Sequence, residues 1–109
     1  MKTISLAHAL LALKTPAQCQ RFLTDLCTPA EIRALTERWA IAQWLDKSDL
    51  PYREIATKLG ASVTTVGRVA RFLREEPHQG YRLVLDHLAS PQTSNNKPST
   101  QTPARKKRR

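Results

Sequence analysis

The chain has 109 residues, 40% of them apolar, and a formal net charge of +9, which suits one small domain with a limited core of its own. The charge is uneven: 12 Lys/Arg face 9 Asp/Glu up to residue 89, and six Lys/Arg with no acid follow. That balance favours a nucleic-acid partner, while no apolar stretch approaches the roughly 18 residues that cross a bilayer.

The first segment, MKTISLAHALLALK, faintly imitates a targeting signal. His8 interrupts its apolar run and no small-residue cleavage site follows, so it reads instead as an amphipathic helix over 2–14. Ile4, Ala7, Leu10 and Leu11 form its apolar face. Thr15-Pro16 then gives a cap and first residue for a second helix over 16–27, with Phe22, Leu23 and Leu26 apolar. Cys19 and Cys27 lie eight apart with no CxxC neighbour, a spacing that offers neither a zinc framework nor a redox motif. They read as free, at least partly buried thiols.

Thr28-Pro29-Ala30-Glu31 is the clearest start signal. Thr28 caps, Pro29 is pre-set for the first turn and Glu31 closes a capping box. The helix that follows runs to about Asp46, with Ile32, Leu35, Trp39, Ala42 and Leu45 as its stripe. Trp39 lies on that stripe; Trp44 does not, and is expected in a second contact or partly exposed.

Lys47–Leu50 reads as a short loop. Residues 51–74 then carry a helix-turn-helix pattern: a helix over 51–59, a bend at Gly60, a cap at Ser62 and a second helix over 63–74. Ile55, Leu59, Val66 and Val69 face inward, and Ala56 supplies the small residue where the helices cross. Such a pair places its second helix in a major groove. Thr64, Thr65, Arg68 and Arg71 put hydroxyls and guanidiniums near the start of that helix, where phosphates and base edges are met. Pro77 and Gly80 mark a break, and a last helix is expected over 81–88. From Ser90 the composition turns to Pro, Thr, Ser, Asn, Gln and Lys, ending ARKKRR. Residues 1–89 are therefore expected to form the domain and 90–109 a disordered tail. Arg105, Lys106, Lys107, Arg108 and Arg109 would add sequence-independent, salt-dependent DNA affinity, or only solubility.

Taken together, TPAEIRALTERWAIAQWL, YREIATKLGASVTTVGRVARFL and GYRLVL resemble the tryptophan repressor superfamily, and in particular its ligand-unassigned bacterial YerC/YecD-type branch. The likeness covers roughly residues 25–86. It implies an all-α fold and an intertwined homodimer that binds double-stranded DNA through two recognition helices. It also implies roles for single residues. Arg53 matches a DNA-contacting arginine, and Val63, Thr64 and Gly67, with Ser62 beside them, match base- or phosphate-facing positions. Ala56 stands where the repressor has a lysine, which removes a phosphate contact.

In the repressor, L-tryptophan lies between two arginines near a capping threonine. Arg38, Arg68 and Thr28 keep those identities. Val69 replaces a glycine that leaves room for the indole, and Phe72 replaces a serine. The implied pocket thus comprises Thr28, Arg38, Arg68, Val69 and Phe72, with Val69 closing it. Arg38 has two readings: a ligand clamp, or a structural partner of Glu31, Glu37 or an acid on another subunit.

Catalytic, metal and cofactor roles are not expected. No Ser-His-Asp, paired-carboxylate or Cys-His set stands at usable spacing, three glycines form no phosphate loop, and His8, His78 and His87 share no metal-ligand spacing. The expected function is a DNA-binding transcriptional regulator, of the repressor kind, in the bacterial cytoplasm with the nucleoid. An interaction module with only non-specific DNA binding, and a regulator gated by another small anionic effector between Arg38 and Arg68, are the alternatives. The effector, operator and regulated genes are not legible.

Overall fold

The computed structural model describes residues 1–90; the basic cluster at Arg105–Arg109 lies outside them. Six helices follow in order: α1 Leu6–Leu11, α2 Pro16–Leu26, α3 Pro29–Lys47, α4 Tyr52–Leu59, α5 Val63–Arg74 and α6 Gly80–Ala89. No strand occurs among the described residues, so the fold is all-α as expected.

Local chemistry explains most of the boundaries. Thr15 Oγ1 accepts from Gln18 N at 3.1 Å and caps α2, with Pro16 next. At α3 both halves of the capping box form: Thr28 Oγ1 accepts from Glu31 N at 3.1 Å and Glu31 Oε1 accepts from Thr28 N at 2.8 Å. α4 ends in a Schellman arrangement. Gly60 adopts φ +68°, Ala61 N donates to Ala56 O at 2.9 Å and Gly60 N to Thr57 O at 3.4 Å. A Cβ at Gly60 would meet nothing within 4 Å, so the backbone angle, and not space, calls for glycine there.

Three boundaries differ from the sequence reading. α1 is confined to Leu6–Leu11, because Ser5 caps it by accepting from His8 N at 3.1 Å and so fixes Lys2–Ile4 outside. Pro51 is the N-cap of α4 and not its first residue. The break before α6 turns at Gln79, which takes φ 53°, while Gly80 is already helical. The Gln79 side chain steadies that turn by donating to Glu76 O at 2.8 Å.

The core is built from one half of the chain. Ile41, Ala42 and Leu45 of α3 meet Ile55 and Ala56 of α4, Val66, Val69, Ala70 and Leu73 of α5, and Leu85 of α6. Trp39, Trp44, Leu59 and Tyr81 pack around it, partly buried. The expected α3 stripe is thus only half right. Ala42 and Leu45 are buried, joined by Ile41, which the sequence reading passed over, whereas Leu35 is exposed. At about 1.5 Å per residue, a 19-residue helix extends well beyond the small α4–α6 cluster, so only its C-terminal half reaches the core.

α1 and α2 contribute no buried residue. Leu6, Leu10, Leu11 and Leu26 on these helices stay exposed, as do Ile4 before α1 and Leu83, Val84 and Leu88 on α6. Cys19 and Cys27 are free and half-buried, as expected. No helix among the described residues is long and apolar enough to cross a membrane.

Polar ties brace the joined half. Arg82 of α6 donates to Asp46 at the end of α3 and to Asp86 one turn on, each at 2.9 Å. The Asp46 hydrogen bond is the main cause that pushes the already high Arg82 pKa up further. Arg74 donates from Nη2 to Leu45 O at 3.3 Å and from Nη1 to Tyr52 Oη at 3.4 Å, pinning the end of α5 to α3 and α4. Replacing Ile41 by alanine removes a fully buried side chain at the centre of this cluster. Denaturant unfolding at fixed protein concentration should show a loss of about 3 kcal/mol.

Candidate nucleic-acid interface

α5 has one buried face and one open face. Val66, Val69, Ala70 and Leu73 fix its rotation by entering the core. At 3.6 residues per turn, Thr64, Gly67, Arg68 and Arg71 then fall on the opposite side. None of these four is buried. The pattern places a hydroxyl, a gap and two guanidiniums in one row along the helix.

The helix start is ordered by Ser62 and Thr65. Ser62 Oγ accepts from Thr65 N at 3.0 Å and lies 2.9 Å from Thr65 Oγ1. These two hydroxyls, expected at the DNA surface, are therefore engaged with each other and with the backbone. Val63 and Thr64 are left to face outward. Val63 is 50% exposed, an apolar side chain presented to solvent in the first turn. At Gly67 a Cβ would meet nothing within 4 Å, so the helix backbone there is open to close approach.

The arginines are not alike. The Arg68 guanidinium lies 4.5 Å from the centroid of the Phe72 ring, in the range of a cation–π contact. Arg71 lies 5.1 Å from the same ring, and its Nε is 3.4 Å from Glu76 Oε2. Glu76 was not singled out in the sequence. Its signal was an acid just past the C-cap of α5, two residues before the next turn. Arg53 sits exposed on α4, away from the buried Ile55 and Ala56. The backbone turn at Gly60 and the contact between α4 and α5 hold the two helices against each other.

The residues of the implied tryptophan pocket separate into different environments. Thr28 is spent on the α3 capping box. Val69 is 1% exposed and packed in the core. Phe72 is half-buried beneath Arg68. Arg38 is half-buried, and of its two readings the partnership with Glu31 or Glu37 does not appear as an ion pair among the described residues. The reason is local: Glu31 Oε1 is taken by the Thr28 backbone, and Glu37 neighbours Arg38 in sequence, where helical side chains diverge. No group of His, Cys, Asp or Glu able to hold a metal ion occurs among the described residues.

The turn into α5 is the part of this surface most sensitive to small changes. Gly60→Ala forces a left-handed angle on an L side chain and should cost about 1–2 kcal/mol. Ser62→Ala removes the α5 cap and should cost about 1 kcal/mol. Thermal unfolding followed by circular dichroism checks both.

Comparison with known proteins gives a consistent result. The family model described as Trp repressor protein matches residues 2–89. The uncharacterized protein YerC of Bacillus subtilis (strain 168) is 35% identical over 91 residues, covering 84% of this chain and 86% of that protein. A solved structure of a TrpR-like protein from Eubacterium eligens ATCC 27750 superposes with a TM-score of 0.70 at 37% identity, covering 77% of this chain and 84% of that one. A candidate Trp repressor from Staphylococcus aureus gives a TM-score of 0.70 at 34% identity, covering 77% and 82%.

Proposed function

The chain belongs to the Trp repressor family, one of transcription regulators and not of enzymes, and from that premise we propose that it is a sequence-specific DNA-binding regulator that represses from a pseudo-palindromic operator as a homodimer. The observation that carries the reading is the division of α5: one face locked in the core, the other offering Thr64, Gly67, Arg68 and Arg71 in a row. A helix held in a single rotational setting presents the same side chains to every groove it enters, which sequence reading requires. α4 and α5 act as the helix-turn-helix, with Arg53 on a phosphate and Val63 and Thr64 near base edges.

The homodimer accounts for the uncovered half of the chain. The N-terminal segment, α1, α2 and the outer side of α6 expose Ile4, Leu10, Leu11, Leu26, Leu83 and Leu88, a set that a soluble monomer of this size does not leave in water without function. A second copy that packs on these faces sets two recognition helices about 34 Å apart, and hence half-sites one helical turn apart. Leu11→Glu with Leu26→Glu should shift sedimentation from dimer to monomer and abolish operator binding. A double variant that stays dimeric removes this assignment.

Binding is proposed to be independent of tryptophan. Val69 completes the core where the repressor's glycine leaves room, and Phe72 with Arg68 stacked on it covers the neighbouring surface. Isothermal titration with L-tryptophan should give no binding at micromolar concentrations, and operator affinity should not change when it is added.

The basic segment at Arg105–Arg109 adds counterion-releasing contacts in this scheme. Removing residues 91–109 should flatten the slope of log K against log salt by roughly 0.9 for each phosphate released, yet leave base preference intact. Electrophoretic shift with genomic fragments tests the whole reading: retardation of particular fragments at physiological salt supports it, and uniform smearing lost with the tail favours a non-specific interaction module.

A further inference from the structure

The ion pair between Arg71 and Glu76 does not hold the core together, because the two side chains are 54% and 34% exposed. It lies where α5 ends, on the outward face. Under the DNA-binding reading, on which this inference rests, an acid at that edge repels phosphate and lowers affinity. Its position asks for a compensating role.

The geometry supplies one. Arg71 Nε lies 3.4 Å from Glu76 Oε2, an ion-pair distance, and the Phe72 ring is 5.1 Å from its guanidinium carbon. Nη1 and Nη2 make no hydrogen bond among the described residues. Glu76 is itself fixed by the chain: its N–H donates to Arg71 O at 3.0 Å, and its carbonyl accepts from Gln79 Nε2 at 2.8 Å. Thus the carboxylate stands on an ordered turn that begins at the residue it restrains. An arginine paired on its Nε side leaves the two terminal nitrogens of its planar guanidinium as a fork.

That fork matches the O6 and N7 acceptors of guanine in the major groove. A phosphate can accept the same fork, so the choice between the two rests on where the helix lets base edges come close. One turn earlier, the open backbone at Gly67 lets a base-pair edge come close. We infer that Arg71 reads a guanine in each half-site, and that Glu76 and Phe72 position it. Ordering the guanidinium before binding reduces the entropy lost on recognition, and confines the gain to sites that carry the matching base.

In vitro selection with the full chain, followed by affinity measurements on the selected site, tests this. The wild type should select a guanine whose replacement by 7-deazaguanine weakens binding about 5- to 10-fold, since one bond of a bidentate pair is lost. Glu76→Gln should keep the wild-type circular dichroism and lose at least half of that discrimination, and Arg71→Ala should lose all of it. If Glu76→Gln tightens binding to every sequence alike with base preference unchanged, the carboxylate is only an opposing charge and the inference falls. It falls equally if a site is selected but 7-deazaguanine has no effect, which makes Arg71 a backbone contact. A wild type that selects no sequence overturns the DNA-reading function itself, a result distinct from both.

Discussion

The packing of α5 on the C-terminal half of α3 is the constraint on which the rest depends. Ile41 from α3 and Val66 and Val69 from α5 are fully buried together with Ile55 of α4. Burial of each such side chain is worth about 1.5–3 kcal/mol, so rotating α5 by even one residue would expose several of them. The outward row of Thr64, Gly67, Arg68 and Arg71 is therefore a consequence of the inward row. Arg74 and Arg82 reinforce this from the polar side, each reaching from a later helix back to the end of α3.

This arrangement changes how the family likeness is to be understood. A ligand that fills a gap beside a recognition helix can control the orientation of that helix. Here Val69 is already part of the hydrophobic cluster and Phe72 supports Arg68. The orientation is supplied by the chain's own side chains, so the apolar interior and the proposed reading surface are two sides of one helix.

How much of this was legible in the sequence varies with the range of the interactions involved. The caps at Thr15, Thr28 and Ser62 and the turn at Gly60 depend on residues within five positions, and all form as the residues dictate. The extent of α1 was overread because apolar spacing continues past Ser5, whose hydroxyl decides the boundary. Ile41 was missed because periodicity gives a stripe but not the part of a long helix that meets a partner. Gln79 escaped because a left-handed non-glycine residue has no reliable sequence mark. At the candidate interface, the row on α5 followed from spacing, while the restraint of Arg71 by Glu76 did not. That contact crosses a helix terminus, where the 3.6-residue period stops being a guide. The fate of Arg38 was not legible either, since Glu31 is taken by a local bond and Glu37 is its sequence neighbour, whose side chain diverges.

The uneven distribution of buried surface also has a kinetic side. All the core residues lie between Ile41 and Leu85, a span closed by short connections, and such local contacts form quickly. That step is first order in chain concentration. In the proposed homodimer a second copy covers the exposed apolar side chains of α1 and α2, and it arrives by encounter, in a second-order step. On that reading a newly made chain holds a finished α3–α6 core beside apolar surfaces still to be covered. The interval between the two steps, set by how many copies are present, is the period in which the molecule is most exposed to aggregation and proteolysis.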